Sequence, residues 1–311
     1  MIEKHSAWVW LFVFMAIPLI LSSGYHVQLA TQLLIFVILF IGVDIAVGHA
    51  GLVSVAHGAL FGIGAYVAAI LTVDHAWPFF ATLPVAAIVA GLFGLVIGLL
   101  TLKLAGHYFV IATMAFSLLI AVAAKNLALT HGELGIANIP KPAIAGLRGV
   151  DEALTFYYLT LAVAAVVVVI YLLLMDSAFG RRLRAIRDNT MLADALGVDV
   201  SRAKLLAFVL SASIAAVGGV FHASFLTFIN PHVVGYEIGF TALMALIIGG
   251  RTTIGGAILG AAIFTILPEV LREVDEYRLI LLGILLIIIV QRAPEGLYGK
   301  FVEFAQVFRG R

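Results

Sequence analysis

Long apolar runs separated by short polar segments make up most of this sequence. A helix needs about 20 mainly apolar residues to cross a bilayer, and the runs predict about ten transmembrane or partly broken helices. Their expected bounds are 8–23, 28–47, 55–73, 79–101, 107–129, 155–175, 204–228, 237–249, 254–271 and 279–292. The pattern therefore predicts an all-α, polytopic membrane protein, with residues 1–311 forming a single transmembrane domain.

Composition narrows the function classes further. Hydrophobic residues make up 63% of the chain and charged residues 11%, which is typical of a membrane protein rather than of a soluble domain. The net charge of +1 gives no sign of nucleic-acid binding. The sequence has no cysteine, which excludes disulfides and cysteine catalysis. No spacing of histidines and carboxylates resembles a metal site.

A polar, arginine-rich segment interrupts the apolar runs at about residues 176–203. Read as one helix from Arg181, it places a stripe of apolar and small side chains on one face, at Leu183, Ile186, Thr190, Ala193 and Leu196. Gly197 then ends the helix. In one interpretation Arg181, Arg184 and Arg187 only orient the protein by the positive-inside rule. The stripe and the terminal glycine favour the other interpretation, in which a cytoplasmic partner holds this helix.

The distribution of basic residues predicts an orientation. Placing the arginine-rich segment in the cytoplasm puts most of the 18 lysines and arginines on that side, as the positive-inside rule requires. Ten spans would place both termini on the same side of the membrane. We therefore expect both termini to be cytoplasmic.

Two glycine-rich stretches are expected to break the helical pattern at membrane depth, at Gly48–Gly64 and Gly249–Gly260. Irregular backbone inside a bilayer must be buried in protein or line a water-filled cavity, and such segments in transporters often form the pathway. The alternative is close helix packing, because each stretch contains a small-xxx-small pair. These pairs are Gly58/Gly62 and Gly256/Gly260. Both interpretations stay open.

The first stretch and its two flanks supply the candidate pathway residues, which are Asp44, His49, Ser54, His57 and Tyr66. A carboxylate within a span costs about 2.5–3.5 kcal/mol on insertion scales, so Asp44 either contacts a substrate or braces the broken helix. For the histidines, a hydrogen-bonded packing role is favoured over proton handling. Ser54 and His57 are three residues apart and only weakly suggest hydrolysis, so no catalytic residue is predicted.

Several segments, in the same order along almost the whole chain, resemble one family of membrane permeases. They are Gly42–Tyr66, Gly106–Thr113, Thr130–Pro142, Phe179–Asn189, Ala195–Gly197, Gly249–Gly250 and Pro294–Leu297. The sequence is similar to the permeases of branched-chain amino acid ABC importers of the LivM type. The resemblance implies import of branched-chain or other hydrophobic amino acids.

The resemblance also implies the partners. They are a homologous second permease in a heterodimer, two cytoplasmic ATPase subunits and an extracytoplasmic solute-binding protein, at the bacterial inner membrane. This chain has no Gly-x-x-x-x-Gly-Lys-Ser/Thr motif. The ATPases would therefore bind ATP and magnesium, and this chain would bind no cofactor. The arginine-rich segment would be the coupling helix, with its Leu183/Ile186/Leu196 face in an ATPase groove. Its residues are Arg181, Leu183, Arg184, Ile186, Arg187, Leu196 and Gly197.

One position leaves the substrate open. Asp44 stands where the amino-acid permeases usually have Asn, and urea-type members of the superfamily tend to have Asp. A urea, amide or small-carboxylate ABC permease is therefore the alternative. An ion-coupled secondary transporter is less favoured, because Asp44 is nearly alone among charges within the spans.

Overall fold

The computed structural model describes residues 2–20, 23–104, 106–142 and 152–270, together with isolated positions between 283 and 303. The described part of the chain is almost entirely helical. Its α-helices are α1 Ile2–Ile20, α2 Gly24–Asp44, α3 His57–Ala69, α4 Phe79–Thr101, α5 His107–Asn126, α6 Glu152–Asp176, α7 Ala178–Asp188, α8 Thr190–Ala195, α9 Val200–Leu226, α10 Tyr236–Gly249 and α11 Ile254–Val270.

The helices confirm the predicted polytopic, all-α architecture. Among the described residues, six helical stretches are long and apolar enough to cross a membrane: α2 and α3, each extended by a π-helical turn, and α4, α5, α6 and α9. Three shorter apolar helices lie at Val9–Pro18, in α10 and in α11. These match nine of the ten predicted runs, and α4 has the predicted bounds. Most of the predicted run 279–292 lies outside the described residues.

Helix α9 is the centre of the bundle and packs against α2, α3 and α4. Small residues let the backbones approach closely, as expected between transmembrane helices. A Cβ atom built on Gly219 would lie 1.9 Å from the carbonyl oxygen of Phe61 in α3, and one on Gly58 would lie 2.4 Å from the backbone nitrogen of Gly239 in α10. Close packing is thus one role of the glycine-rich stretches.

The first predicted break is present but shorter than expected. Helix α2 continues through a π-helical turn at Ile45–His49, residues 50–56 are not helical, and α3 begins at His57. Two side chains of α5 satisfy this irregular backbone: the Val55 N–H donates to Oγ1 of Thr113 (3.3 Å), and the Val55 carbonyl accepts from the hydroxyl of Ser117 (3.4 Å). Protein side chains thus provide hydrogen bonds that lipid cannot give to this backbone.

The second predicted break, at Gly249–Gly260, is also present but shorter than expected. Residues 250–253 form a turn between α10 and α11, and Gly256 and Gly260 lie inside α11. A Cβ on Gly256 would be 1.9 Å from the carbonyl oxygen of Gly250, and one on Gly260 would be 2.3 Å from that of Ala245. These glycines therefore serve the tight packing of α10 on α11.

The interruption between the predicted runs 204–228 and 237–249 is present at residues 227–235, but its structure was not predicted from the sequence. After α9, the short strand β2 (Phe228–Ile229) pairs antiparallel with β1 (Ile136–Ala137). A 3₁₀ turn at Pro231–Val234 then packs against Gly62 of α3, where an added Cβ would lie 2.4 Å from the Val234 side chain. The chain thus folds back against α3 before α10 begins. The Asn-Pro pair before the turn is the signal that could have indicated it.

We expect α7 and the β1–β2 pair to lie on opposite sides of the membrane. Helix α9, which is about 40 Å long at 1.5 Å per residue, begins near α7 and ends just before β2. Single cysteines at Ala185 and Leu134, both exposed, should therefore react with a membrane-impermeant maleimide from opposite sides, Ala185 from the cytoplasm. Labelling of both positions in intact cells would contradict this topology.

Candidate functional site

The carboxylate of Asp44 lies at the end of α2 and is 1% exposed. Its Oδ2 atom accepts a hydrogen bond from the hydroxyl of Tyr171 in α6 (2.6 Å), and its Oδ1 atom accepts one from the backbone N–H of Thr252 in the α10–α11 turn (2.7 Å). Nδ1 of His49 lies 3.3 Å from Oδ2. One buried carboxylate therefore joins the end of α2 to α6 and to the α10–α11 turn.

The π-helical turn after Asp44 shapes this site. Gly48 lies directly beside the carboxylate, so that a Cβ atom there would be 2.0 Å from Oδ1 of Asp44 and 3.1 Å from the nitrogen of Thr252. The last carbonyl groups of a helix need partners from outside it. The guanidinium of Arg187 in α7 donates to the Gly48 carbonyl (3.2 Å). The arginine-rich segment thus contacts the helix break directly.

His49 completes this group, which we call the Asp44 cluster: Asp44, Gly48, His49, Tyr171 and Thr252, with Arg187 at its edge. The His49 ring packs edge-on against the ring of Tyr171, with the centroids 5.6 Å apart, and His49 is 3% exposed. Two of the five candidate pathway residues therefore lie side by side, and their described contacts are with the protein itself.

The other three candidates are also buried. The hydroxyl of Ser54 accepts a hydrogen bond from the N–H of Ala56 (3.2 Å), which stabilises the turn before α3. His57 pairs through Nε2 with the hydroxyl of Ser211 in α9. The hydroxyl of Tyr66 has no hydrogen-bond partner among the described residues. Their place on a transport pathway stays a prediction.

The predicted single helix from Arg181 is wrong, because the segment forms two helices. Asn189 between them is extended (φ −156°), and its side-chain oxygen accepts the N–H of Leu192 (3.0 Å). An asparagine that caps the N-terminus of a new helix in this way ends the preceding one. Gly197 does end the second helix as predicted, with a φ of +82°.

The predicted stripe also does not form one exposed surface, because its side chains differ in exposure. Leu183 and Ile186 are both 0% exposed, because α7 packs on α6, α9 and the π-helical turn. They therefore fix α7 to the bundle and are not free to enter a groove of a partner. The exposed apolar side chains are those of Met191 (85%), Leu192 (57%) and Leu196 (76%), at α8 and its end.

Comparisons with known proteins identify the family. Residues 25–290 match the family described as branched-chain amino acid transport system / permease component, and the chain belongs to this family. It is thus a multi-pass membrane permease of a multi-component transport system.

Relatives named as LivM and LivH are similar over most of the chain. The high-affinity branched-chain amino acid transport system permease protein LivM of Salmonella typhimurium is 28% identical, over 92% of this chain and 73% of the relative. LivM of Escherichia coli K12 is 29% identical, over 90% and 71%. LivH of the same strain is 27% identical, over 85% and 91%. No solved structure matches.

Asp44→Asn should destabilise the protein while leaving its fold intact. An amide has one acceptor oxygen, so one of the two donors, the Tyr171 hydroxyl or the Thr252 N–H, would face an NH₂ group. A buried donor without a partner costs about 1–3 kcal/mol. The thermal midpoint of the purified protein should fall. Tyr171→Phe should lower this midpoint less in the Asp44→Asn background than it does alone. Full additivity of the two substitutions would contradict the shared hydrogen bond.

Gly48→Ala should have a larger effect than an alanine elsewhere in the same helix. The new methyl group would have to displace the Asp44 carboxylate, and overpacking of this kind costs about 1–3 kcal/mol. Gly24→Ala, at the start of α2 with nothing within 4 Å of its added Cβ, is the matched control. Equal thermal midpoints of the two variants would refute the close contact.

Proposed function

We propose that this chain is the permease subunit of an ABC importer for branched-chain or other hydrophobic amino acids in the bacterial inner membrane. Its membership of the permease family carries the proposal. Similarity to both LivM and LivH supports a heterodimer with a homologous second permease. The energy would come from two ATPase subunits that bind ATP and magnesium, since this chain has no P-loop motif. An extracytoplasmic binding protein would deliver the substrate.

The docking surface for an ATPase would be α8 and its end, defined by Met191, Leu192 and Leu196. These large apolar side chains are exposed on a short segment that also carries Asp194 and ends at Gly197. Exposed apolar groups rimmed by polar ones mark sites of protein contact. The neighbouring α7 is fixed to the bundle by Leu183 and Ile186. A movement imposed on α8 would thus be passed to the transmembrane helices, which is the role of a coupling segment.

The Asp44 cluster would carry that movement into the membrane. Arg187 of α7 binds the Gly48 carbonyl at the helix break, and Asp44 joins the break to α6 and to the α10–α11 turn. A shift of α7 would therefore displace residues 50–56 and α10 together. The cluster links the coupling segment to the two interrupted parts of the bundle.

The contacts of Asp44 also help to decide between the two candidate substrate classes. Both of its carboxylate oxygens accept hydrogen bonds from the chain itself, which supports a bracing role instead of substrate recognition. The aspartate at this position then gives no preference for urea or amides. Amino acids, for which the relatives are named, are the better supported substrate class.

Substitution of the α8 surface should uncouple the permease from its ATPases. The variant Met191→Asp/Leu192→Asp/Leu196→Asp should insert and fold, because all three side chains are exposed, but should lose most ATPase co-purification and uptake. Leu134→Asp, which changes an equally exposed leucine at the other end of the bundle, is the control. Undiminished co-purification with the triple variant would refute this docking surface.

Substrate identity is tested with the complete transporter in proteoliposomes that contain ATP. We expect ATP-dependent uptake of radiolabelled leucine in the presence of the cognate binding protein, and no uptake of urea. Uptake of urea without that of leucine would assign the chain to the alternative substrate class.

A further inference from the structure

A cavity of about 430 Å³ opens where the end of α4, the start of α5 and the first turns of α9 meet. It lies at the same end of the bundle as α7, because Gly51 lines the cavity and lies beside Arg187. The volume falls in the range of small-molecule sites. None of the five pathway residues predicted from the sequence lines it.

The ionisable side chains that the structure describes in this cavity are all basic. They are Lys103, His107 and Lys204, and none of the described lining residues is an aspartate or a glutamate. In the part of the chain that the structure describes, neither lysine takes part in an ion pair. Two ammonium groups that converge on one concave surface without a carboxylate favour an anionic ligand.

The backbone adds donors to these cations. The 20-residue helix α5 begins at His107, and no described side chain caps its first N–H groups. Gly106 precedes it with a φ of +58°, a conformation that favours glycine. Uncapped N–H groups at a long helix, next to two lysines, suit phosphate oxygens in geometry and charge.

The surroundings of the cavity are apolar and exposed. Leu100 at the end of α4 is 73% exposed, and Tyr108 and Ile111 in the first turns of α5 are 73% and 63% exposed. Phe109 and Val110 form part of the wall itself. Tyrosine and lysine beside such a surface are typical of the level of lipid headgroups. A ligand that is anionic at one end and apolar at the other would match both parts.

We propose that this cavity binds the headgroup phosphate of an anionic phospholipid, with the acyl chains lying along the exposed faces of α4 and α5. Basic pockets between transmembrane helices bind lipid headgroups in this manner. Gly51 and Val53 of the helix break also line the cavity. The bound lipid therefore contacts the segment that connects α2 to α3, and the lipid composition of the membrane affects transport through this site.

Native mass spectrometry of the complete transporter, with added phosphatidylglycerol or phosphatidylcholine, tests the proposal. We expect one tight phosphatidylglycerol site whose affinity falls about tenfold or more in Lys103→Gln/Lys204→Gln, since each lysine near a membrane surface contributes to the attraction of anionic lipid. Lys103→Arg/Lys204→Arg should retain the site. Lys125→Gln, which removes an exposed lysine from the opposite end of α5, is the matched control.

Competition separates this ligand from other anions. Neither leucine nor inorganic phosphate at millimolar concentration should displace phosphatidylglycerol. Displacement by leucine would make the cavity part of the substrate route, and displacement by inorganic phosphate would make it a site for free anions. Either result would overturn the proposal, as would equal binding of the two lipids or an unchanged affinity in the glutamine variant.

Discussion

A buried carboxylate with both oxygens hydrogen-bonded organises this permease. Asp44 would be costly within a membrane span if it lacked partners, and the chain supplies them from Tyr171 and Thr252. These donors lie far along the chain, in α6 and in the α10–α11 turn, so the carboxylate fixes where both of them meet the end of α2. The absence of a side chain at Gly48 leaves the space that this arrangement needs.

The same arrangement connects the polar segment to the interior. Within residues 50–56, the backbone of Val55 pairs with Thr113 and Ser117 of α5. In the preceding π-helical turn, the Gly48 carbonyl accepts a hydrogen bond from Arg187 of α7. These hydrogen bonds tie the break to α5 and α7, so a shift of either helix would displace it.

Features that follow from local chemistry were predictable from the sequence. The apolar run of α4 gave its bounds, and Gly197 gave the end of α8. Features that depend on tertiary neighbours could not be predicted from the sequence. Periodicity placed Leu183 and Leu196 on one stripe, but it could not reveal that Asn189 divides the helix or that the bundle covers Leu183 while Leu196 stays exposed. The partners of Asp44 lie 127 and 208 residues further along the chain, beyond the reach of any local pattern.

We expect α7 and the helix break to move as one unit during transport. Spin labels on cysteines at Ala185 and Val53, in this cysteine-free chain, report the distance between them in the nucleotide-free and ATP-trapped transporter. A second pair at Val53 and Leu134 reports movement of the break relative to the opposite end of the bundle. We expect an unchanged distance for the first pair and a changed distance for the second. A change in the Ala185–Val53 distance, with no change between Val53 and Leu134, would contradict a common movement of α7 and the break.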